Sequence, residues 1–265
     1  MLWALMLAVS PGCAQPSEKG PPITCSGRRC GPIHIPPVTH VPPGDGGGGA
    51  GGSSSEDEAV RLLGDVVLLD DIPGLTASRF VESADLRVEG KSGDVTGRYL
   101  GTDGFAIDGV ARGQTTWAQV EPGPGDALLT LQPVDTSRPS DADEVETTLT
   151  VVRESELERA FSVIASPVTR NPGAAQLVLV VQKENRGASG VGVIARTAEA
   201  VIYVDNGSFS DVVETTDASG IVVLANVPAD SWPGSGVTVT LVGTVNGIWD
   251  LRVVRGGVTF AGIGE

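Results

Sequence analysis

The chain is 265 residues long and carries 33 acidic against 18 basic side chains, a formal charge of −15, with 36 glycines, 18 prolines, two histidines and three cysteines. That charge repels phosphate backbones, and both histidines, His34 and His40, lie in a proline-rich stretch. Nucleic-acid binding and histidine-dependent catalysis are therefore set aside, and a non-enzymatic protein is expected.

Leu2 to Val9 is an unbroken apolar run, too short to span a bilayer as a mature helix, and Ser10-Pro11-Gly12-Cys13 follows it directly. This order predicts an export signal over residues 1–12. Apolar stretch, small residues and then cysteine together resemble the lipobox of bacterial lipoproteins. The resemblance implies a lipidated Cys13 as mature amino terminus and a place in the cell envelope, at the outer membrane or cell surface; a plain secreted signal is the alternative. Setting Cys13 aside leaves Cys25 and Cys30, separated by Ser26-Gly27-Arg28-Arg29. Export to an oxidising compartment allows them one small disulfide, with free thiols as the alternative. A zinc site would recruit His34 and His40 at a spacing untypical of structural fingers, so no metal is expected.

From Ala14 to Glu58 there are 8 prolines and 10 glycines in 45 residues. Such a composition predicts a segment, 13–58 in all, that does not pack: polyproline-like through Pro36-Pro37 and Pro42-Pro43, then flexible coil from Gly46 to Ser55. A tether of this length reaches about 35–40 Å root-mean-square.

Beyond it, short apolar runs alternate with period two. Leu86 and Val88 alternate with Asp85, Arg87 and Glu89, and Val237, Val239 and Leu241 with Thr238 and Thr240. Turn signals recur between the runs at Gly101-Thr102-Asp103-Gly104, Pro122-Gly123-Pro124-Gly125, Asp205-Asn206-Gly207 and Asn246-Gly247. Half-buried antiparallel strands follow. One helix interrupts them: Ser155 and Glu158 stand in a capping-box arrangement, with Leu157, Ala160, Phe161 and Ile164 at helical spacing and Pro167 and Pro172 ending it. The predicted architecture is all-β. Two tandem small antiparallel β-sandwiches (immunoglobulin-like or prealbumin-like) occupy 59–153 and 173–265, with a helical connector at 154–172.

Both halves join an acidic turn to an apolar strand, at Gly101 to Val110 and at Thr215 to Pro228. In each, aspartate closes the turn through its side chain and glycine takes the positive backbone angle. At these residues the chain resembles carboxypeptidase regulatory-like, transthyretin-like and collagen-adhesin B-type modules, small β-sandwiches of bacterial surface proteins. The second half carries more of it: Leu177 to Gln182 as first strand, Asn185-Arg186-Gly187 as turn and Gly190 to Val193 as next strand. Some such adhesin modules carry a lysine–asparagine isopeptide bond, but Lys183 lacks the Glu-Thr-x-x-Pro acid signature and reads as a solvated strand end.

Trp232, Trp117 and Trp249 could form a platform for stacking sugar rings, yet in a chain with so few aromatic residues they are needed to fill cores; Trp232, beside Pro233-Gly234, is the most exposed candidate. Carboxylates cluster at Asp70-Asp71, at Asp141 with Asp143 and Glu144, and at Glu154, Glu156 and Glu158. The loop over 135–146 could hold calcium but lacks the glycine and terminal glutamate of a calcium-hand loop. No cofactor is expected. The sequence predicts a membrane-tethered surface protein acting as a structural or protein-interaction module, adhesion-like and without catalysis. Its alternative is a carbohydrate-binding module with a polysaccharide partner.

Overall fold

The computed structural model describes residues 59–113, 115–137 and 143–264 and, before them, Cys25, Ser26, Arg29, Cys30, Ile35, Pro37 and Val38. The expected export signal over 1–12, Cys13, His34, His40 and most of the expected tether lie outside the described residues. Three short pieces come first: β1 (Cys25–Ser26), β2 (Arg29–Cys30) and β3 (Pro37–Val38). The first half runs β4 (Ala59–Asp71), β5 (Thr76–Phe80), β6 (Ala84–Gly90), β7 (Gly93–Tyr99), β8 (Phe105–Ala111), β9 (Thr115–Pro122), β10 (Ala127–Leu128), β11 (Thr130–Asp135) and β12 (Glu144–Arg153). Helix α1 (Glu154–Ser162) leads to β13 (Ala175–Lys183), β14 (Arg186–Gly187), β15 (Val191–Ile194), β16 (Ala200–Asp205) and β17 (Ser208–Ser210). Then come β18 (Ile221–Val227), β19 (Ser235–Gly243), β20 (Gly247–Val253) and β21 (Val258–Gly264).

The all-β class is as expected, with one short helix among the described residues. Hydrogen bonding, however, joins both halves into one sheet path, β10-β12-β4-β8-β6-β9-β11-β21-β13-β18-β16-β17. The junction is β21. It pairs in parallel with β11 at Val258 and Thr259 and with β13 along its whole length, while β3 continues the β11 edge at Gly262 and Ile263. Purely antiparallel sheets were expected, and the pairing of β12 with β4 is also parallel, from Glu144↔Arg61 to Val152↔Leu69. Turn residues encode hairpins; they carry no signal for a parallel pair, whose strands are joined by a long crossover.

The first half curls until its ends meet. β12 bonds β10 at Ala127↔Arg153 and Leu128↔Val152. Beyond that point side chains of β11 take over the ladder: the Val152 N–H donates to Thr130 Oγ1 (3.3 Å) and the Thr150 N–H to Gln132 Oε1 (2.9 Å). Gln132 Nε2 donates back to the Thr148 carbonyl at 3.2 Å, so a buried amide substitutes for main-chain pairing. Val60, Leu62, Val66, Leu68, Leu86, Val88, Tyr99, Ile107 and Val120 fill the interior.

Alternate residues of the same strands face outward into a second core. Val67 and Leu69 of β4 meet Leu157, Ala160 and Phe161 of α1 and Val178, Val180, Val223 and Phe260 of the second half. The opposite face of β13 and β18, with Leu177, Leu179, Val222 and Leu224, packs on a separate three-stranded sheet of order β15-β19-β20. Two consecutive cores of the second half thus include first-half side chains, Trp117 and Leu131 among them. The expected division into two separate sandwiches does not emerge from this packing. Nor does the tether stand wholly clear: Ile35 is buried in the helix-side core, and β3 sits on β21. An isoleucine and an extended Pro-Val pair suffice for that, though the surrounding composition hides them.

Helix α1 begins two residues earlier than the capping box implies. Ser155 lies inside it, and Asp126, from the loop after β9, supplies the cap. Its Oδ1 accepts the Ser155 N–H (3.2 Å), its Oδ2 the Ser155 hydroxyl (2.7 Å) and its carbonyl the Glu154 N–H (3.1 Å). Leu157, Ala160 and Phe161 are buried as their spacing predicts, and the helix stops at Ser162, before either proline. The segment beyond is pinned where Asp211 accepts the N–H groups of Ala165 (2.8 Å) and Ser166 (3.0 Å), bonds that hold its carboxyl below the usual range.

Where β13 and β18 shift register between Ala175 and Leu177, Asn226 adopts φ 52° and closes the irregularity. Its Oδ1 accepts from the Asn171 N–H (2.8 Å) and Gln176 Nε2 (3.0 Å), and its Nδ2 donates to the Thr169 carbonyl (2.8 Å) and Glu199 Oε2 (2.7 Å). Its own N–H donates to Gln176 Oε1 at 2.8 Å.

Tyr99, fully buried in the first-half core, has its phenol pushed up to about 12 from 10.0, by burial first and by the negative charge of Asp65 second. Between those pH values the unfolded chain releases this proton while the folded chain keeps it, so stability falls as pH rises through that window. Tyr99→Phe removes that loss. We expect the stability difference between wild type and variant, followed by urea unfolding from pH 9 to 12, to shift in favour of the phenylalanine chain as pH rises; parallel curves would refute the assignment.

Candidate binding face

The three-stranded sheet β15-β19-β20 buries one face and shows the other. Val191, Val193, Val237, Val239, Leu241, Trp249 and Leu251 point into the core. Their neighbours, at period two, point to water: Ile194 is 50% exposed, Val242 51% and Ile248 57%. Register places Ile194, Thr240 and Ile248 side by side across the three strands, with Thr238 opposite Asp250 one step along. The Thr238 hydroxyl donates to Asp250 Oδ1 at 2.7 Å. Aliphatic and hydroxyl side chains therefore form one continuous outer surface.

An open groove of about 740 Å³ runs along this face, lined by Ile194, Arg196, Asp230, Ser235, Thr238 and Thr240. Arg196 is among the few described arginines without an acidic partner; Arg186, at the β13–β14 turn, is another. Arg61, Arg98, Arg112, Arg153, Arg159, Arg170 and Arg252 each pair with a carboxylate, whereas Arg196 makes no ion pair or hydrogen bond among the described residues. Its guanidinium keeps its planar fork of donors free for an acceptor in the groove.

The carboxylate clusters are taken up differently. Asp70 pairs with Arg153, and Asp71 (3.0 Å) and Glu156 (2.6 Å) converge on Arg159. Glu154 pairs with Arg170, Asp143 with Arg112 (3.1 Å) and Glu144 with Arg61 (3.6 Å). Asp141 lies outside the described residues. Among the described residues no group of three or more metal-ligating side chains gathers.

Two of the three tryptophans proposed for stacking are core residues: Trp117 is 6% exposed and Trp249 3%. Trp232 is half-buried, its indole Nε1 donating to Asp94 Oδ2 at 2.6 Å and its ring lying 5.8 Å from the Arg87 guanidinium. The three therefore do not line up as a platform; Trp232 instead fastens the β6–β7 hairpin to the second half, as does the ion pair of Glu89 with Arg252. Lys183 is an exposed strand end that reaches the Thr244 carbonyl at 3.4 Å.

Backbone register sets Cys25 opposite Cys30, next to the Ser26↔Arg29 pair. Directly opposed strand positions have Cα separations within the range a disulfide bridges. Intact mass of the native chain is expected about 2 Da below the dithiol value. Free thiols trapped by an alkylating agent without prior reduction would contradict this pairing.

Arg196 and the Ile194–Thr240–Ile248 row escape a reading of the sequence directed at rings and acids. The signal that finds the row is the same alternation that identifies β19, read for its outward positions.

The fold and face together define an all-β protein with one layered body and an open surface on its three-stranded sheet. No family model matches the chain, and no curated protein does. Among solved structures it is similar to the TIE protein of Bacillus anthracis, at 10% identity and TM-score 0.25, over 77% of this chain and 34% of that one. It is also similar to a Bacteroides thetaiotaomicron protein described as polysaccharide binding (8% identity, TM-score 0.24, covering 70% of this chain and 76% of that one). A Bacteroides ovatus protein described as an adhesin matches at 10% identity and TM-score 0.25, over 82% and 99%. The chain spans about a third of the Bacillus protein's length. Likeness at this level fixes neither a topology nor a ligand.

Proposed function

We propose that this chain is a non-catalytic binding protein, held at the cell envelope by a lipidated Cys13 and a proline- and glycine-rich tether, that presents its three-stranded sheet to a protein partner. One observation carries the reading: in a chain of charge −15, this face sets Ile194, Thr240 and Ile248 in one aliphatic and hydroxyl row across three strands, with both isoleucines exposed. Exposed aliphatic rows that cross several strands mark interaction surfaces rather than scattered surface residues. The apolar opening before Cys13 and the tether composition support display outside the cytoplasm.

Mass spectrometry of the native amino terminus tests the anchor: an acylated Cys13 peptide is expected, and a retained Met1 in the soluble cell fraction would overturn it. Affinity capture on the chain from Ala14 onward tests the face. A partner is expected to be retained by wild type and lost with Ile194→Asp, and capture indifferent to this change would move the site elsewhere.

Arg196 in its hydroxyl-lined groove favours a second reading, a polysaccharide ligand bound by hydrogen bonds instead of ring stacking. On a glycan array Arg196→Gln would then abolish a signal that the wild-type chain gives.

A further inference from the structure

A three-stranded sheet has two edges, and here they are treated differently. On β15, the backbone groups turned away from β19 are all occupied. The Val191 N–H donates to Thr216 Oγ1 (3.1 Å) and its carbonyl accepts the Thr216 N–H (3.0 Å). The Val193 N–H donates to the buried Tyr203 hydroxyl at 2.9 Å. On β20, the Arg252 carbonyl accepts the Thr259 hydroxyl at 2.6 Å, on the side away from β19. Backbone direction alternates along a strand, so the N–H and C=O groups of Ile248 and Asp250 turn outward as well. Among the described residues none of these four groups makes a backbone hydrogen bond. Both residues are exposed, and neither charge nor proline blunts the edge at Ile248.

We propose that β20 is a self-pairing edge, through which a second copy of this chain adds antiparallel to the small sheet. With the two-fold axis at Trp249, Ile248 of each copy faces Asp250 of the other, and all four outward groups of each copy are used. The result is a six-stranded sheet in which the Ile194–Thr240–Ile248 row of each copy meets Asp250 and Thr238 of the other. So short a strand junction buries far less than the ~1,000 Å² of a stable interface, and two chains of like charge repel. Pairing is therefore transient in dilute solution and acts where tethers hold many copies at one membrane surface. In that last respect it rests on the reading above.

Amide hydrogen exchange on the purified chain from Ala14 onward, which contains every described residue, tests the proposal. Between about 20 μM and about 1 mM protein, exchange at Ile248 and Asp250 is expected to slow about tenfold, and other β20 amides are expected to stay unchanged. Added salt, by screening the repulsion, strengthens the effect. Ile248→Pro removes an N–H that β19 does not use, and concentration-dependent protection at Asp250 should disappear with it. Asp250→Thr, which deletes like charges near the axis, should increase association in sedimentation. Exchange that stays independent of concentration at high salt, or protection that appears only when a different protein is added, overturns self-pairing. Either result leaves the binding reading standing, whereas an unlipidated, intracellular chain overturns that reading and not the edge geometry.

Discussion

Asn226→Ala is expected to destabilise the folded chain by roughly 3–5 kcal/mol, measured as a lowered urea midpoint at unchanged slope. Two separate costs add. Asn226 sits at φ 52°, a conformation that costs a residue with a Cβ about 1 kcal/mol and that asparagine tolerates best after glycine. Its amide also serves four partners: the Asn171 N–H, Gln176 Nε2, the Thr169 carbonyl and Glu199. Truncation leaves some of these buried without a partner, at about 1–3 kcal/mol each where water cannot enter. Glycine at the same position relieves the backbone and isolates the second cost, so Asn226→Gly should lose less than Asn226→Ala. Asn226→Asp keeps both acceptors but faces Glu199 with a second negative charge, and it should regain stability as pH falls through the carboxylate range. A loss below about 1 kcal/mol for the alanine variant would show that the register shift closes without this residue.

Trp117→Ala carries the other large effect, about 3–5 kcal/mol for an aromatic side chain removed from a packed core. Trp117 belongs to the first half by sequence yet lies among Leu177, Val222, Leu251 and Ala261 of the second. Circular dichroism and the fluorescence of the remaining tryptophans should therefore report one coincident transition, shifted as a whole in the variant. Independent sandwiches would behave otherwise: two transitions, of which only the earlier strands' moves. That outcome would refute the shared core.

The sequence shows its local rules well. Alternation locates β6 and β19, and the Thr-Thr-Asp-x-x-Gly turn is built as its residues imply: Asp217 accepts the Ser219 N–H at 2.7 Å and Gly220 takes φ 70°. Asn206 and Gly207, at φ 50° and 78°, form the hairpin expected of that pair. The turn after β13 falls one residue early, at Glu184 and Asn185, because Arg186 and Gly187 already pair back. What local rules do not carry is which edge meets which. Val66 to Leu69 and Leu177 to Val181 read as plain apolar runs because both their faces are buried, and a run without alternation does not say what covers each side. Asp126, a loop aspartate 28 residues before the helix it caps, and Gln132, a strand amide doing a main-chain task, are equally silent in sequence. For the candidate face, the outward positions were legible and the freedom of Arg196 was not, since that depends on where seven other arginines find their acids.

The position of β21 also governs the order in which the body can assemble. Every other described strand is made before it, yet β11 and β13 meet only across it. During synthesis from the amino end, the two halves remain unsewn until this segment arrives. Contacts so distant in sequence form slowly, which leaves an interval in which β11 and β13 keep open the edges that β21 will cover. This strand thereby acts as a timer: the layered body locks only after the segment carrying it has been made.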